Sequence, residues 1–270
     1  MLKILLQLTV TDYIKQCLSV EEYSFSLNEL QTRLDKSEIA IKSELSRLIK
    51  KETIVNLRKG FYLIIPPRYS KQGQIPIQLY IEKLFKYLNR NYYLGFYSAA
   101  KFHGASHQQT QRDYLMTEKP KLNNIKKNTF DVRFFTTSKW SNMNLLDRKS
   151  DAGTFKISSP ALTAVDLIHH QTKLGGLNRM LAILEELTEE IKQNDIAELL
   201  TWYPHKSTLQ RFGFLLEVVG ANENLTKQIK IHLKKTKFFP VLLSPKTEQK
   251  PGAIDNFWKV AINIKLESDL

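Results

Sequence analysis

The chain has 270 residues, 42% of them hydrophobic, a single cysteine and a formal net charge of +13. That length can bury more than one core, while the lone Cys17 excludes an intramolecular disulfide and a thiolate metal cage and reads as a small buried hydrophobe in a helix. No apolar run approaches the ~20 residues of a membrane span, and the opening MLKILLQLTV carries neither a basic leader region nor a cleavage pattern, so a cytoplasmic protein without a membrane partner is expected.

Strong basicity favours polyanionic partners, and here the charge is local. Residues 36–71 hold nine basic against three acidic side chains, and residues 119–150 hold eight against two. Residues 151–222 hold six against nine. Two segments thus supply nearly all of the excess.

In chain order, Thr9 or Thr11 caps a first helix carrying Tyr13, Ile14, Cys17 and Leu18, and Ser26 caps a short second one carrying Leu27, Leu30 and Leu34. Ser37 caps a third, whose Ile41, Leu45, Leu48 and Ile49 recur at helical spacing and predict one buried face. Two β-rich runs, Thr53–Leu57 and Phe61–Ile65, then flank the basic turn Arg58-Lys59-Gly60 and predict a hairpin. Pro66-Pro67 ends it, since a proline pair cannot continue a ladder. Three helices followed by a hairpin is the element order of a winged helix-turn-helix.

Gln72-Gly73-Gln74 reads as a linker, after which Pro76 starts a helix carrying Ile77, Tyr80, Ile81, Leu84, Phe85 and Leu88. A helix from Phe96 to Phe102 stops at Gly104, and β-rich pieces follow at Tyr114–Thr117, Phe130–Thr136 and Phe155–Ser158. Ser159-Pro160 opens a helical stretch with segments over 160–170, 177–192, 194–202, 207–219 and 223–234, and strand-like composition returns at Val241–Leu243 and Trp258–Ile264. The predicted fold class is α+β, with a winged helix-turn-helix over residues 1–72 followed by a larger mixed α+β domain over residues 75–270.

Several of these stretches together look familiar. AIKSELSRLIKK at residues 40–51, followed by VNLRKGFY at 55–62, resembles the winged helix of the AbiEi-type antitoxins of type IV toxin–antitoxin systems. YSAAKFHG at 97–104, SPALTAVDL at 159–167, RFGFLLE at 211–217 and WKVAIN at 258–263 are similar to that family's second-domain landmarks. The resemblance implies a bacterial antitoxin that represses its own operon at inverted repeats and opposes a nucleotidyltransferase-like toxin encoded beside it.

The residues themselves point to duplex DNA as a partner. With Ile41, Leu45, Leu48 and Ile49 turned to the core, Lys42, Ser43, Ser46, Arg47 and Lys50 lie on the other faces of the third helix. An arginine bridges guanine O6 and N7, serines reach base edges or phosphates, and lysines act as point charges along the backbone. Ser37 leaves amide donors at the helix start, where a phosphate can sit, and Arg58 and Lys59 at the hairpin tip extend the surface. Glu38 and Glu44, pairing with Lys42, Arg47 or Lys50 along the helix, would give those charges a structural task instead. The second basic segment, with Lys119, Lys121, Lys126, Lys127, Arg133, Lys139, Arg148 and Lys149, is read as solvated loops, or alternatively as an extension of the DNA surface or a site for an anionic partner.

Catalytic motifs are missing. His103, His107, His169, His170, His205 and His232 show no metal-ligand helical spacing with an intervening acid, and there is neither a phosphate-cradling glycine loop nor a Gly-x-Ser-x-Gly elbow. No enzyme activity, cofactor or metal is therefore expected. Two alternatives stay open. Glu190-Ile-Lys192 and Glu248-Gln-Lys250 are triplets that occur in metal-dependent DNA nucleases, and an antitoxin can also act purely by contacting its toxin, without DNA.

Overall fold

A computed structural model describes residues 8–105, 111–245, 254 and 256–267, and it begins with three capped helices. In α1 (Val10–Ser19) the Thr9 hydroxyl accepts from the Asp12 amide at 3.1 Å while the Asp12 carboxylate accepts from the Thr9 amide at 3.2 Å. The same reciprocal box opens α2 (Leu27–Arg33), where Ser26 Oγ accepts from the Glu29 amide at 3.1 Å and Glu29 accepts from the Ser26 amide at 2.7 Å. For α3 (Glu38–Lys50), Ser37 Oγ accepts from the Ala40 amide at 3.3 Å. Each cap satisfies amides that have no partner inside the helix, a contribution of about 1 kcal/mol apiece.

Between and after these helices runs a three-stranded antiparallel sheet in the order β1 (Ser24–Ser26), β3 (Phe61–Ile64), β2 (Ile54–Arg58). Val55 and Ser24 lie on either side of Leu63, so β3 is the central strand. The β2–β3 turn is Lys59-Gly60, and Gly60 takes φ +74°, a left-handed conformation that costs glycine nothing. Val10, Tyr13, Ile14, Cys17, Phe25, Leu30, Leu34, Ile41, Leu45, Ile54, Tyr62 and Ile64 form one buried cluster that joins the helices to the hairpin. Ile49 departs from expectation: it is 39% exposed, because the buried stripe of α3 narrows to Ile41 and Leu45, with Leu48 only partly covered.

Pro76 leads into a 3₁₀ turn (Ile77–Leu79) and then a short α4 (Ile81–Leu88), so the single helix expected from Pro76 is divided at Tyr80. Asn89 ends α4 in the left-handed region at φ 50°.

The chain divides into two compact units, and neither is one continuous stretch. The first comprises residues 1–92, 120–136 and 147–156. Besides the three helices, the small sheet and α4, it holds β6 (Ile125–Lys127) antiparallel to β7 (Phe130–Thr137), with Ile125 opposite Val132, and the outer ends of β8 (Leu145–Ser150) and its neighbour β9 (Gly153–Ser158). Aromatic edges close this unit: Tyr80 meets Phe130 with ring centroids 6.2 Å apart, and Phe85 meets Phe134 at 6.1 Å.

The second unit comprises residues 93–119, 137–146 and 157–270. Its sheet portion has β4 (Tyr92–Leu94) between β5 (Asp113–Glu118) and β9, with Leu94 paired in parallel to Ile157. Helices α5 (Phe96–Phe102), α7 (Asn178–Glu190), α8 (Gln193–Trp202) and α9 (Lys206–Val218) all pack against α6 (Pro160–His169), which is buried from Pro160 to Ile168. α10 (Glu223–Lys234) packs on α8 and α9, and a two-stranded parallel pair, β10 (Val241–Leu242) with β11 (Val260–Ala261), completes the unit.

Buried polar groups in this unit are matched to particular partners. Asn144 Nδ2 donates to the Asp195 backbone oxygen at 2.8 Å, Trp202 Nε1 donates to Asn144 Oδ1 at 2.7 Å, and Asp195 Oδ2 accepts from the Ala161 amide at the start of α6 at 2.8 Å. Gln210 Nε2 donates to the backbone oxygens of Phe239 and Trp258 at 2.9 and 2.8 Å. Tyr93 Oη donates to Asp166 Oδ2 at 2.6 Å inside the unit.

Trp258 is fully buried against Gly213 in the middle of α9, where a Cβ would come within 2.6 Å of indole Cε3 and closer still to Cζ3 and Cη2. Alanine ordinarily favours a helix over glycine by about 1 kcal/mol. Here the sign reverses, since overpacking of this kind costs about 1–3 kcal/mol. Gly213→Ala is expected to lower the urea midpoint of the full-length protein, and a raised midpoint would contradict the packing described.

Burial pushes the Asp166 carboxyl up to about 7, against the Tyr93 hydrogen bond, which lowers it. Across the window from the ordinary carboxylate value of 3.8 up to about 7, the folded protein holds a proton that the unfolded chain has released. This group's share of stability therefore falls as pH rises through that window. Asp166→Asn is expected to gain stability relative to the parent between about pH 4.5 and about pH 7.5, measured by urea unfolding at both; a difference independent of pH would refute the assignment.

Candidate nucleic-acid interface

Helix α3 is fixed in rotation by Ile41 and Leu45, which are buried at 0% and 2% exposure. Its opposite side consequently presents Lys42, Ser43, Ser46, Arg47 and Lys50, all of them exposed, as the spacing predicts. Lys42 pairs with Glu38 one turn back, which holds the Lys42 amine above and the Glu38 carboxyl below their ordinary values. Arg47 Nη2 donates to Ser43 Oγ at 3.4 Å. Both contacts are solvated ones of little energetic weight, so a phosphate or base edge can displace them. Ser37 is the N-cap, and its hydroxyl is engaged with the Ala40 amide.

Glu44 does not pair with Arg47 or Lys50. Its carboxylate accepts from the Val10 amide at 3.0 Å and from Lys36 Nζ at 2.5 Å, tying the start of α1 to α3. Partial burial opposes its ionisation, yet the Lys36 and Val10 bonds outweigh burial and hold the carboxyl below its usual value. The Glu44 carboxylate is thus spent on the inner edge of α3, and Glu38 is the acid paired on the outward face.

The hairpin corrects the reading of Arg58. Rather than standing free at the tip, Arg58 Nη2 donates to the Asn123 backbone oxygen at 2.5 Å, and its guanidinium lies 5.2 Å from the centroid of Phe134. Desolvation, followed by the proximity of Arg90, lowers its pKa. Arg58 is therefore a strut inside the first unit, because β6 packs beside β2 and the residues leading into β6 bring the Asn123 carbonyl within its reach. Lys59 is exposed and remains the outward cation of the turn, while its backbone oxygen accepts from Tyr87 Oη at 3.0 Å. A Cβ on Gly60 would stand 2.8 Å from that same hydroxyl.

The second basic segment is split by the fold. Lys121, Lys126, Lys127, Arg148 and Lys149 are exposed on the same unit that carries α3, whereas Lys119 and Lys139, also exposed, belong to the other. Arg133 is half-buried and pairs with Asp131 at 2.6 Å, so it is held inward. Phe134 is core, and Trp140 packs on Tyr93 at 5.6 Å.

Sequence spacing gave no sign of one further constellation. His169 stacks on His205 at 4.1 Å and meets His170 edge-on at 4.6 Å, although His205 is 36 residues away in the chain. Desolvation first and then the neighbouring His205 pull His169 down to about 4, and His170 falls to about 3. Both rings are neutral at pH 7, and no group of three or more His, Cys, Asp or Glu among the described residues is placed to hold a metal. His107 lies outside the described residues, as does the Glu248–Lys250 triplet. Glu190-Ile-Lys192 spans the junction of α7 and α8, with Ile191 buried, so it follows no strand. No helix among the described residues is long and apolar enough to cross a membrane.

A cavity of about 520 Å³ opens in the first unit between β1 and α4, lined by Glu22, Ser24, Glu29, Lys83 and Tyr87 among others. Its central cation is already committed, with Lys83 Nζ 3.0 Å from Glu22 and 3.7 Å from Glu29.

Comparison with known proteins bears on the second unit above all. The model of the AbiEi antitoxin C-terminal domain matches residues 93–218, a span that contains the 97–104, 159–167 and 211–217 landmarks and leaves out α3 and the hairpin. No curated protein matches the chain. The crystal structure of the RV2827C protein from Mycobacterium tuberculosis superposes with a TM-score of 0.66 at 16% identity, covering 93% of this chain and 90% of that one. At that identity the likeness is one of fold, and it extends over the mixed α+β architecture as a whole. Over residues 93–218 the chain is similar to the AbiEi antitoxin C-terminal domain family.

Proposed function

We propose that residues 1–72 act as a winged helix-turn-helix that reads duplex DNA through α3, and that the protein is a type IV antitoxin repressing its own operon. The observation that carries this reading is the outward face of α3, where Lys42, Ser43, Ser46, Arg47 and Lys50 are exposed opposite the buried Ile41 and Leu45. A helix of 13 residues is about 20 Å long, and its width suits the major groove. Arg47 reads a guanine edge, Lys42 and Lys50 neutralise phosphates on either side, Ser43 and Ser46 reach bases or phosphates between them, and Lys59 contacts the flanking backbone. Arg58 drops out of this set, since its guanidinium is engaged with Asn123 and Phe134.

The antitoxin role rests on the domain spanning residues 93–218. Its functional partner would be a nucleotidyltransferase-like toxin encoded beside it, with residues 75–270 carrying the neutralising activity and no catalysis required of this chain.

Arg47→Ala is expected to weaken binding to the operator by about 1–3 kcal/mol and to relax preference at one base pair. Lys50→Ala should weaken operator and unrelated duplexes alike and make the dependence of log K on log salt shallower by about one. Fluorescence anisotropy on the DNA upstream of the gene and on unrelated DNA, across a salt series, separates the two. Unchanged operator affinity in the folded double variant would remove α3 as the reading element.

A division of labour gives a second expectation. Changing Lys42, Arg47 and Lys50 together to alanine should abolish operator binding yet leave most of the protection against the adjacent toxin when expression comes from an unrelated promoter. Growth of cells carrying toxin and variant, with immunoblots confirming equal antitoxin levels, provides the measurement. Loss of protection in step with loss of DNA binding would assign neutralisation to a DNA-dependent step.

A further inference from the structure

Ile39 is 82% exposed, more than any other large apolar side chain among the described residues, and it stands on α3 itself. At about 100° per residue, Ile39, Ser43, Ser46 and Lys50 follow one another at spacings of four, three and four and form a single stripe. That stripe faces almost directly away from Ile41 and Leu45. Ile39 thus occupies the middle of the polar and basic face, not its margin, with Lys42 on one side and Arg47 on the other.

Local structure does not account for an isoleucine here. A β-branched residue loses rotamer freedom in a helix, and Ser37 already caps α3 without help from its neighbour. With 82% of its surface in water, Ile39 contributes almost nothing to the core. The surrounding charge is complementary to a polyanion, and the one apolar group exposed in the major groove of duplex DNA is the C5-methyl of thymine.

We propose that Ile39 is a specificity-determining residue that packs on a thymine methyl in the major groove while Lys42 and Lys50 hold the phosphates to either side. This rests on the reading of α3 as the DNA-contacting helix and adds to it a base and a chemical group. Hydrogen bonds from Arg47 and the serines select by donor and acceptor pattern, whereas Ile39 selects by apolar contact, which no hydrogen-bonding analogue can replace.

The test uses the full-length protein and a pool of short random-sequence duplexes. After selection of the preferred sequence, each thymine is replaced in turn by deoxyuridine, which removes the methyl and leaves every hydrogen-bonding edge in place. At one thymine of a half-site the replacement should weaken parental binding about fourfold, the loss expected for one buried methyl-sized group. Ile39→Ala should bind the thymine and uracil duplexes equally, with Ile39→Val intermediate, and neither variant should unfold at a lower urea midpoint than the parent, since the side chain is exposed and alanine favours a helix. If uracil is tolerated everywhere by the parent, or if Ile39→Ala keeps the same thymine preference, the inference fails while DNA reading by α3 stands. If no sequence is enriched from the pool, the reading of α3 fails and this inference with it.

Discussion

Ile41 and Leu45 decide which way α3 faces. Both are sealed in the cluster formed with α1, α2 and the hairpin, and once they are placed, every other side chain of the helix has its direction set by the 3.6-residue repeat. Glu44 reinforces that setting from the flank, because its carboxylate holds both the Val10 amide and Lys36. Rotating α3 by one residue would bury Lys42 or Ser46 and cost several kcal/mol in unpaired polar groups. The basic face is therefore a consequence of the core, not an independent design of the surface.

The hairpin behind α3 is held with comparable firmness. Tyr87 bonds the backbone of Lys59 and fills the space beside Gly60, while Arg58 reaches across to Asn123 and Phe134. A hairpin anchored at both its turn and its last β2 residue has little conformational freedom left to lose on binding. Lys59 is the exposed side chain of that turn. In the second unit, the buried length of α6 plays the organising part, with Asn144 and Asp195 fastening the residues that lead into it.

How much of this could be read beforehand depended on whether the signal was local. Caps at Thr9, Ser26, Ser37 and Ser159 lie within three residues of their partners, so a short window of sequence contains them. The outward set on α3 follows from periodicity alone. Strands β1 and β4, of three residues each, carry no pattern of their own and exist through pairing with distant β3 and β9, hence their absence from the sequence reading. Arg58 misled for a related reason: a basic residue beside a turn glycine reads as solvated, and nothing near it announces a carbonyl 65 residues on. Ile49 and the partner of Glu44 also depended on tertiary neighbours. The exposed Ile39 fell outside the polar residue types sought for DNA contact, although the helical repeat that buries Ile41 and Leu45 already turns it outward.

Segments 120–136 and 147–156 complete the unit that begins at the amino terminus, which has a bearing on synthesis. A ribosome adds residues 93–156 over several seconds, at roughly 5–20 per second. Until residues 123, 130 and 134 have been added, Tyr80 and Phe85 lack Phe130 and Phe134, and Arg58 lacks Asn123. The α3-bearing unit thus closes late, after more than half the polypeptide has been made. Chains broken off during early elongation hold all of α3 yet lack the segments that complete the unit around it, so finished units count only messages translated past their midpoint.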